Sequence, residues 1–448
     1  MTRRDLLCSA GFIALGGMFT SVGFGKATAG VPNFILILCD DLGFADIEPY
    51  GGIIPTPHLS QLASQGISLE NYYAPANLCT PSRAGILTGK YPIRTGLGWE
   101  VLLQNDERGL SVSERTIANC LAPRYSSALI GKWHLGTAPK YWPPTKHGFD
   151  LFYGIPYSHD MAPLAVFEAH AGSSEVTSRP VDLQWLQQEL CTRAEQFIEA
   201  NRSRPFFLEL ALSSPHLPNI PPPEYKGTSK AGPYGDVVRE IDSIVGRIMA
   251  KVDKLGLSGD TLLIFTSDNG PWYEGSAGQL RDRKGGEAYD GASRVPFIAR
   301  MPGTLPAGIR NKALASGIDL LPTFCAMGGL KEENDTEIDG KDLLGVLKGS
   351  PKSPHDELVL FNNEAVVGIR TQRWKYVAQT YYRGGRTDFL ERGYPQLYDM
   401  ELEQGENYSV AELYPKILAD MQARWQAAVT KFAPFKTPRP KGFDWVLP

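Results

Sequence analysis

Acidic and amide side chains follow two apolar runs of the sequence. Asp40 and Asp41 end the run NFILILCDD, and Asp268 and Asn269 lie near the end of the run TLLIFTSDNG. These residues offer only hard oxygen ligands, which suit Ca²⁺ or Mg²⁺ and disfavour zinc. Three carboxylates at one site would repel each other strongly unless a cation neutralised them. An Asp-Asp pair after a strand is more often a helix cap or a solvated turn, but the shared position of both pairs favours a metal site.

Basic side chains occupy similar places in the sequence. Lys132 and His134 end the run SALIGKWH, His216 ends the run FFLELALSSPH, and Arg83 lies four residues after Cys79. A metal ion surrounded by such groups would make a site for a tetrahedral oxyanion, either phosphate or sulfate.

Cys79 begins the segment CTPSRAGILTG, which has the features of a short helix. Thr80 could cap this helix, and Pro81 fits its first position. The amide groups of a helix N-terminus favour negative charge beside Cys79. From the residues alone, Cys79 could be a buried thiol, a thiolate nucleophile or the precursor of another group. A site built from hard oxygen ligands does not suit a soft sulfur ligand, which disfavours the thiolate.

The elements that must position these side chains are interior strands. The runs at 33–41, 127–134, 206–216 and 261–270 are apolar on both faces, as is typical of strands covered by helices on both sides. Helical spacing of apolar residues lies between them, most clearly at 234–256. Strands alternating with helices predict a largely parallel sheet, in which ligands bind beyond the carboxyl ends of the strands. The polar residues that end the four runs are therefore expected to converge.

Composition narrows the class of protein. The 448 residues include 45 Lys and Arg against 49 Asp and Glu, a net charge of −4, without the basic block that nucleic acid would require. The six cysteines show no CxxC pair and no regular spacing. The sequence therefore predicts neither a disulfide framework nor a structural zinc site.

The N-terminus has the pattern of an export signal. Two arginines at positions 3 and 4 precede an uncharged apolar run to Gly25, and Ala27-Thr28-Ala29 forms a small-x-small cleavage pattern. This resembles the bacterial twin-arginine signal, and it predicts removal of residues 1–29 and export to the periplasm or beyond. The alternative is a retained membrane anchor, which the cleavage pattern disfavours. Because no later segment is apolar enough to span a bilayer, no stable anchor is expected.

The segment CTPSRAGILTGKYPIRTG resembles the signature of the type I sulfatases, in which Cys-x-Pro-x-Arg directs oxidation of the cysteine to formylglycine by a formylglycine-generating enzyme. Further blocks occur in that family's order: LILCDDLGFADIEPYGG, GKWHLG, HGFDLFYGIPYSHD, SSPHLP, FTSDNGP and RWKYV. The resemblance is strongest to the branch of arylsulfatase A and N-acetylgalactosamine-6-sulfatase.

The resemblance implies a role for each of the site residues. One Ca²⁺ would be held by Asp40, Asp41, Asp268, Asn269 and the formylglycine made from Cys79. Arg83 and Lys132 would hold the formylglycine oxygens, and His134 would hydrogen-bond the same group. Ser158, His216 and Lys284 would contact the sulfate ester. One departure is the run AYDGASRVP, which replaces the usual Tyr-Glu-Gly-Gly and puts the shape of the loop after Lys284 in question.

The chemistry expected of such a site is hydrolysis of a sulfated carbohydrate or an aryl sulfate. One hydroxyl of hydrated formylglycine would attack sulfur with help from Asp268, and His216 or Lys284 would stabilise the leaving oxygen. His134 would take the proton of the second hydroxyl as sulfate leaves. The alternatives are a phosphonate monoester or phosphodiester hydrolase, and a non-enzymatic sulfated-glycan binder if Cys79 is not oxidised.

The family also implies an architecture, an alkaline-phosphatase-like α/β fold. A catalytic domain over 30–354 would precede a small C-terminal antiparallel-sheet subdomain over 355–448, closed by a helix at 409–432. His159 adjoins Ser158 and is the remaining histidine of most interest. Trp99 with Glu100, and the aromatic pair Trp272-Tyr273, could line a sugar subsite, although core packing is as plausible.

Overall fold

A ten-stranded sheet positions the residues of interest. The computed structural model describes residues 30–330, 337–382 and 385–441 of the 448-residue chain. The strands of this sheet are β1 (Asn33–Asp40), β2 (Ile67–Tyr73), β3 (Ser126–Lys132), β4 (Leu151–Ile155), β5 (Ala165–His170), β6 (Val176–Pro180), β7 (Phe206–Pro215), β8 (Thr261–Ser267), β9 (Phe297–Arg300) and β10 (Ile309–Ser316). Their order across the sheet is β10-β2-β9-β8-β1-β7-β3-β4-β5-β6.

The four apolar runs form the middle of this sheet, as predicted. β8, β1, β7 and β3 are adjacent and mutually parallel, and every residue in them is buried. Asp40 is opposite Pro215, and Cys39 is opposite Ser267, so the polar residues that follow these strands share one edge. β5, β6 and β9 are antiparallel to their neighbours. The sheet is therefore mixed but largely parallel.

Alternation along β1 separates two hydrophobic cores. Phe34, Leu36 and Leu38 belong to one core, and Ile35 and Ile37 belong to the other, because successive side chains of a strand point to opposite faces. The helices are α1 (Pro57–Ser64), α2 (Cys79–Thr88), α3 (Ile117–Leu121), α4 (Leu183–Ala200), α5 (Gly232–Lys254), α6 (Asp290–Ser293), α7 (Leu320–Met327), α8 (Leu344–Leu347) and α9 (Pro415–Phe432). α2, α3 and α7 pack in the first core, and α1, α4 and α5 pack in the second.

The start of α2 differs from its predicted position. The helix begins at Cys79 with Leu78 as its N-cap, so Pro81 is the third helical residue rather than the first. The Thr80 hydroxyl does not cap the helix, because it donates to the His134 carbonyl at 3.1 Å and accepts from the Leu102 amide at 3.0 Å. Proline is still tolerated here, since the first amides of a helix have no intrahelical partner.

Two other expectations need correction. Cys120 of α3 and Cys325 of α7 form a disulfide, which the cysteine spacing did not indicate because 205 residues separate them and only helix packing brings them together. The closing helix α9 begins at Pro415 rather than at 409, since proline suits a first helical position. Helix α5 matches the predicted segment to within two residues at each end.

A smaller antiparallel sheet follows the main one, as predicted. It contains β11 (Leu358–Asn362), β12 (Ala365–Arg370), β13 (Trp374–Val377) and β16 (Gln396–Asp399), and β14 (Gln379–Tyr382) pairs with β15 (Gly385–Asp388) beside it. Helix α9 packs on β12 and β13. The buried ammonium of Lys375 in β13 joins this sheet to helix α6, because it lies 2.6 Å from a carboxylate oxygen of Asp290. It lies at the same distance from a carboxylate oxygen of Glu406, which follows β16.

The helices in the described part of the chain differ from membrane-spanning segments. None of the helices there combines the length and the apolar character that crossing a bilayer requires. The predicted export signal at 1–29 lies outside the described residues.

Candidate active site

The carboxyl edge of the sheet gathers the predicted metal ligands. Asp40 is the last residue of β1, Asp268 directly follows β8, and Cys79 is the first residue of α2. One ligand atom from each of Asp40, Asp41, Cys79 and Asp268 lies within 4.8 Å of the other three, and all four residues are buried. Asn269 joins them through its amide nitrogen, which donates to Asp41 Oδ1 at 2.8 Å.

The backbone turns sharply at Asp41 to bring its carboxylate into this cluster. Its φ is 69°, in the left-handed region that non-glycine residues rarely adopt. The Asp41 amide donates to Asp268 Oδ1 at 3.2 Å, and the Leu42 amide donates to Ser267 Oγ at 3.0 Å. These bonds hold the strained turn against the end of β8.

Two buried cations pair with the carboxylates from inside the protein. Lys132 Nζ lies 2.6 Å from Asp40 Oδ2, and Arg83 Nη2 lies 2.8 Å from Asp268 Oδ2. Arg83 also donates from Nη1 to the Lys132 carbonyl at 3.1 Å. The signature helix and β3 are thereby fixed to the carboxyl ends of β1 and β8.

Two further basic groups approach Asp41 from the more exposed side. Lys284 Nζ lies 2.7 Å from Asp41 Oδ1, and His216 Nε2 lies 3.7 Å from Asp41 Oδ2. The side chains of Lys284 and His216 keep 9% and 16% of their surface exposed, whereas Arg83 and Lys132 are almost fully buried. Lys284 and His216 are therefore the ones that a substrate would meet first.

Burial and charge act differently on the two strand-end carboxyls. Burial alone would raise the pKa of Asp40, but the charges of Lys132, His216 and Arg83 outweigh it and hold that pKa well below its usual range. Burial raises the pKa of Asp268 to about 7 although Arg83 opposes the shift. An additional positive charge in the cluster would stabilise the ionised form of both groups.

The thiol of Cys79 is not activated by its surroundings. Burial raises the pKa of this thiol well above its ordinary value, and the negative charge of Asp40 adds to the effect, while Lys132 and Lys284 oppose it. A cysteine nucleophile requires the opposite shift. Burial of Cys79 and the charge of Asp40 therefore argue against the thiolate alternative.

The unused oxygens of the cluster fit a hard cation. Asp40 Oδ1 and Asn269 Oδ1 are buried and have no hydrogen-bond partner among the described residues, although Arg83 Nη2 lies 3.6 Å from Asp40 Oδ1. Asn269 directs its amide nitrogen to Asp41 and to the Gly270 carbonyl, which leaves its own carbonyl oxygen available. Buried polar atoms are rarely left unsatisfied, so free oxygens beside three carboxylates indicate a site for an ion such as Ca²⁺.

His134 presents one defined nitrogen to the site. Its φ of 57° turns the chain directly after β3, and its Nε2 lies 3.0 Å from the Leu102 carbonyl. Because a carbonyl only accepts, Nε2 carries the proton in the neutral ring, and Nδ1 is left as an acceptor. Nδ1 is buried and has no partner within the described part of the chain. The Leu102 carbonyl has no sequence signal, so this orientation could not be predicted.

Ser158 reaches the site through its neighbour rather than through a direct contact with the cluster. Its hydroxyl is buried and has no hydrogen-bond partner among the residues described. The next residue, His159, hydrogen-bonds the carbonyls of His216 and Leu217 at 2.8 and 3.0 Å. The structure thus brings nine of the eleven predicted site residues into direct contact, whereas Ser158 and His134 are connected to the cluster only through adjoining segments.

Two adjacent backbone amides anchor the loop that carries Lys284. The Lys284 amide donates to the Pro271 carbonyl at 3.0 Å, and the Gly285 amide donates to the Asn77 carbonyl at 2.9 Å. Farther along, Asp290 of the unusual AYDG run is buried and paired with Lys375. The departure from the family pattern therefore leaves a carboxylate in a fixed position, and the loop remains joined to the segments that follow β8 and precede α2.

An aromatic pair forms an exposed rim beside this loop. Trp272 and Tyr273 are 41% and 72% exposed, and their rings meet edge to face at 4.8 Å. Arg283, which sequence reasoning missed, fixes the rim by donating to the carbonyls of Trp272, Tyr273 and Gly275 at 3.2, 3.3 and 2.8 Å. The exposure of Trp272 and Tyr273 excludes core packing for this pair. Trp99, in contrast, is partly buried and donates to the Thr437 carbonyl.

Comparison with known proteins agrees with this geometry. The profile of the family described as Sulfatase matches residues 32–330. Arylsulfatase A from Homo sapiens is 35% identical over 94% of this chain and 93% of its own length. An N-acetylgalactosamine-6-O-sulfatase from Bacteroides thetaiotaomicron is 28% identical over 89% of this chain and 93% of its own length. The solved structure of PsFucS1 sulfatase from Pseudoalteromonas sp. has a TM-score of 0.83 and 26% identity, with 92% of each chain covered.

A buried oxygen-ligand cluster ringed by cations, at the carboxyl edge of a mixed α/β sheet, defines a hydrolase for esters of a tetrahedral oxyanion. The family profile spans more than half of the chain, and arylsulfatase A matches it over nearly its full length. The chain belongs to the sulfatase family and has its alkaline-phosphatase-like fold, so it is a sulfuric ester hydrolase.

Proposed function

We propose that this protein hydrolyses sulfate esters of glycans, with Cys79 oxidised to formylglycine and Ca²⁺ bound beside it. The observation that carries the proposal is the position of Cys79. Its sulfur lies 3.8 Å from Asp41 Oδ1, among hard oxygen ligands that a thiol does not suit. An oxygen-bearing group on the same carbon would suit both the cation site and the helix N-terminus.

The Ca²⁺ would be held by Asp40, Asp41, Asp268, Asn269 and the formylglycine made from Cys79. The two buried oxygens without partners, on Asp40 and Asn269, support this ligand set. The ion would neutralise part of the charge on the sulfate group.

Formylglycine, once hydrated, supplies two hydroxyls on one carbon, one to attack sulfur and one whose deprotonation expels sulfate. Arg83 and Lys132 would hold the oxygens of this group. Both cations are buried beside the cluster that contains Cys79, because Arg83 pairs with Asp268 and Lys132 pairs with Asp40. Asp268 would accept the proton of the attacking hydroxyl. Each positioned proton transfer of this kind typically contributes ~10²–10⁴ in rate.

The histidine tautomers support the remaining proton transfers. His216 Nδ1 lies 2.7 Å from the Leu217 carbonyl and carries a proton there, so Nε2 is the nitrogen left to face the substrate. Nε2 would give a proton to the leaving oxygen from the imidazolium form, in which both ring nitrogens are protonated. Lys284 would stabilise the same oxygen, and Ser158 would contact the sulfate. His134 would accept the proton of the second hydroxyl at Nδ1, the nitrogen that Leu102 leaves free.

Two observations favour a glycan over a small aryl sulfate as the substrate. The exposed rings of Trp272 and Tyr273 suit the apolar face of a sugar, and Arg283 holds them rigidly. One relative is named as an N-acetylgalactosamine-6-O-sulfatase. A lone exposed aromatic residue is ordinary, but a fixed pair three residues beyond a candidate metal ligand is a plausible platform.

The proposal also includes a route and a partner. A formylglycine-generating enzyme must oxidise Cys79, and the twin-arginine-like pattern at 1–29 supports export to the bacterial periplasm or beyond. Residues 30–354 would act as the catalytic domain, and residues 355–448 as the C-terminal subdomain.

The test compares ester classes and examines residue 79 directly. Protein made together with a formylglycine-generating enzyme should hydrolyse sulfated sugars and aryl sulfates faster than matched phosphonate monoesters or phosphodiesters. Peptide mass spectrometry should find an aldehyde in place of the thiol at position 79. Faster turnover of the phosphorus esters, or full activity with an intact thiol, would contradict the proposal.

A further inference from the structure

A buried chain of hydrogen bonds connects helix α4 to the backbone at His216. Gln187 Nε2 lies 2.7 Å from Ser213 Oγ, which lies 2.9 Å from His159 Nδ1. His159 Nε2 lies 2.8 Å from the His216 carbonyl and 3.0 Å from the Leu217 carbonyl. Gln187, Ser213 and His159 are 3%, 0% and 4% exposed, so water does not compete for these bonds.

The partners fix the direction of every bond in this chain. The Gln187 carbonyl oxygen accepts from the Ser213 amide at 3.3 Å, so its nitrogen faces Ser213 Oγ as a donor. The Ser213 hydroxyl must therefore donate to His159 Nδ1. His159 Nε2 faces two carbonyls, which only accept, so it carries the ring proton. His159 is thereby held as one neutral tautomer, and burial together with the neighbouring His216 lowers its pKa to about 4.

The far end of the chain determines how His216 is held. β7 ends at Pro215, so the carbonyls of His216 and Leu217 lie beyond the sheet and need other donors. His159 supplies a donor for both carbonyls, and Asn219 Nδ2 donates a longer bond of 3.3 Å to the His216 carbonyl. The Leu217 carbonyl also accepts from His216 Nδ1 at 2.7 Å, and the two imidazole rings meet edge to face at 5.6 Å. The same carbonyl thus ties the orientation of the His216 ring to His159.

We propose that His159, supported by Ser213 and Gln187, is a positioning residue that holds His216 with Nε2 aimed at the leaving oxygen of the substrate. The inference rests on the proposed role of His216 as the proton donor. His159 also fixes Ser158, its neighbour in the chain, relative to His216. Two substrate contacts from different loops are therefore set by one buried side chain.

The consequence can be measured through the leaving group. A weakly basic leaving group such as nitrophenolate needs little protonation, whereas phenolate needs more. Replacing His159 by leucine removes its bonds to both carbonyls and leaves them with weaker support, from Asn219 and from the His216 ring itself. The His216 ring is then held less firmly and can rotate. We expect His159→Leu to lower kcat/KM on phenyl sulfate about 10-fold more than on nitrophenyl sulfate, a fraction of the ~10²–10⁴ that a positioned acid contributes.

A conservative variant separates positioning from structural damage. The amide nitrogen of glutamine reaches as far as the imidazole Nε2, so His159→Gln should recover most of the loss on phenyl sulfate. The matched control is His147→Leu, because His147 is also buried and bonds a carbonyl, that of Tyr141, at 2.8 Å. That variant should lose stability but affect both esters equally.

A double variant tests whether His159 acts through His216. Added to His216→Ala, the change His159→Leu should produce no further difference between the two esters, because the group it positions is gone. Equal losses of His159→Leu on both esters in folded protein would overturn the inference, and so would an undiminished ester difference in the His216→Ala background. If His159→Leu does not fold, Ser213→Ala, measured in the same way, decides the matter. Wild-type protein that turns over neither sulfate ester would instead contradict the proposed function itself.

Discussion

At the scale of single residues, the proposed function requires the encoded cysteine to provide more than a nucleophile. A serine at position 79 could attack sulfur once, but it would keep the sulfate as a stable ester, because it lacks a second hydroxyl on the same carbon. We predict that Cys79→Ser binds substrate without turning over, with kcat lowered at least ~10³-fold. Incubated with an activated aryl sulfate, the variant should gain the mass of one sulfate group on the introduced serine, which intact-mass spectrometry would detect.

The control for that variant is another buried free cysteine. Cys191 lies in α4 and is fully buried, so Cys191→Ser disturbs packing without touching the site. It should retain turnover and gain no mass. Repeated turnover at near wild-type rate by pure Cys79→Ser would show that the second hydroxyl is unnecessary.

The same scale applies to the metal ligands. We predict that a strong chelator abolishes sulfatase activity, and that Asp268→Ala removes stoichiometric Ca²⁺ binding as well as turnover, because the ion loses one carboxylate of its oxygen ligand set. Equilibrium dialysis with ⁴⁵Ca²⁺ measures the binding independently of catalysis. Asp319→Asn is the control, since Asp319 is equally buried but pairs with His355 outside the cluster. Full turnover by a variant shown to be metal-free would contradict this prediction.

At the scale of elements, β7 carries a buried carboxyl, that of Glu209, which has no role in the proposed mechanism. Glu209 lies in the middle of this interior strand, and one of its oxygens has no hydrogen-bond partner among the described residues. Burial raises its pKa to about 7 from about 4.5, with Arg83 opposing. Because the folded state holds this proton more tightly, the contribution of Glu209 to stability falls as pH rises from about 4.5 to about 7.

The neutral analogue should remove that pH dependence. We predict that Glu209→Gln raises the free energy of unfolding by about 2–3 kcal/mol more at pH 8 than at pH 5, as 1.36 kcal/mol per pKa unit implies. Denaturant unfolding at the two pH values measures it. Glu199→Gln, a change on the exposed surface of α4, serves as the control and should show no such gain. An equal effect of Glu209→Gln at both pH values would mean that Glu209 is not protonated on folding.

The elements also show what the sequence could predict and what it could not. Runs such as NFILILCDD predicted interior strands correctly, because continuous apolar β-formers fit only a doubly covered sheet. Once those strands are parallel, Asp40 and Asp268 must share an edge. The Cys120–Cys325 bridge and the pairing of Lys375 with Asp290 were not predictable, since only tertiary packing decides which distant residues meet. The tautomer of His134 could not be predicted for a similar reason, because the backbone carbonyl of Leu102 sets it.

At the scale of the whole molecule, the buried site and the exposed aromatic rim have to act on one substrate. Trp272 follows Asn269 by three residues, which span at most ~11 Å of chain, about the length of two sugar rings. The Lys284 amide bonds the Pro271 carbonyl, so the rim and the leaving-group side of the site move together. On the proposed function, an oligosaccharide bound at the site would be long enough to extend over Trp272 and Tyr273, whereas a small aryl sulfate would not.

We predict that Trp272→Ala and Tyr273→Ala each raise KM for a sulfated oligosaccharide about 10-fold, because one sugar–aromatic contact of 1–1.5 kcal/mol is lost, and leave KM for nitrophenyl sulfate within about 2-fold of wild type. Steady-state kinetics on the two substrates measure the difference. Tyr408→Ala is the matched control, since Tyr408 is 76% exposed, close to the 72% of Tyr273, and lies on the C-terminal segment. It should change neither value. If the rim variants raise KM for both substrates equally, the rings act on the shape of the Lys284 loop rather than on a sugar. A glycan would then have to be bound elsewhere.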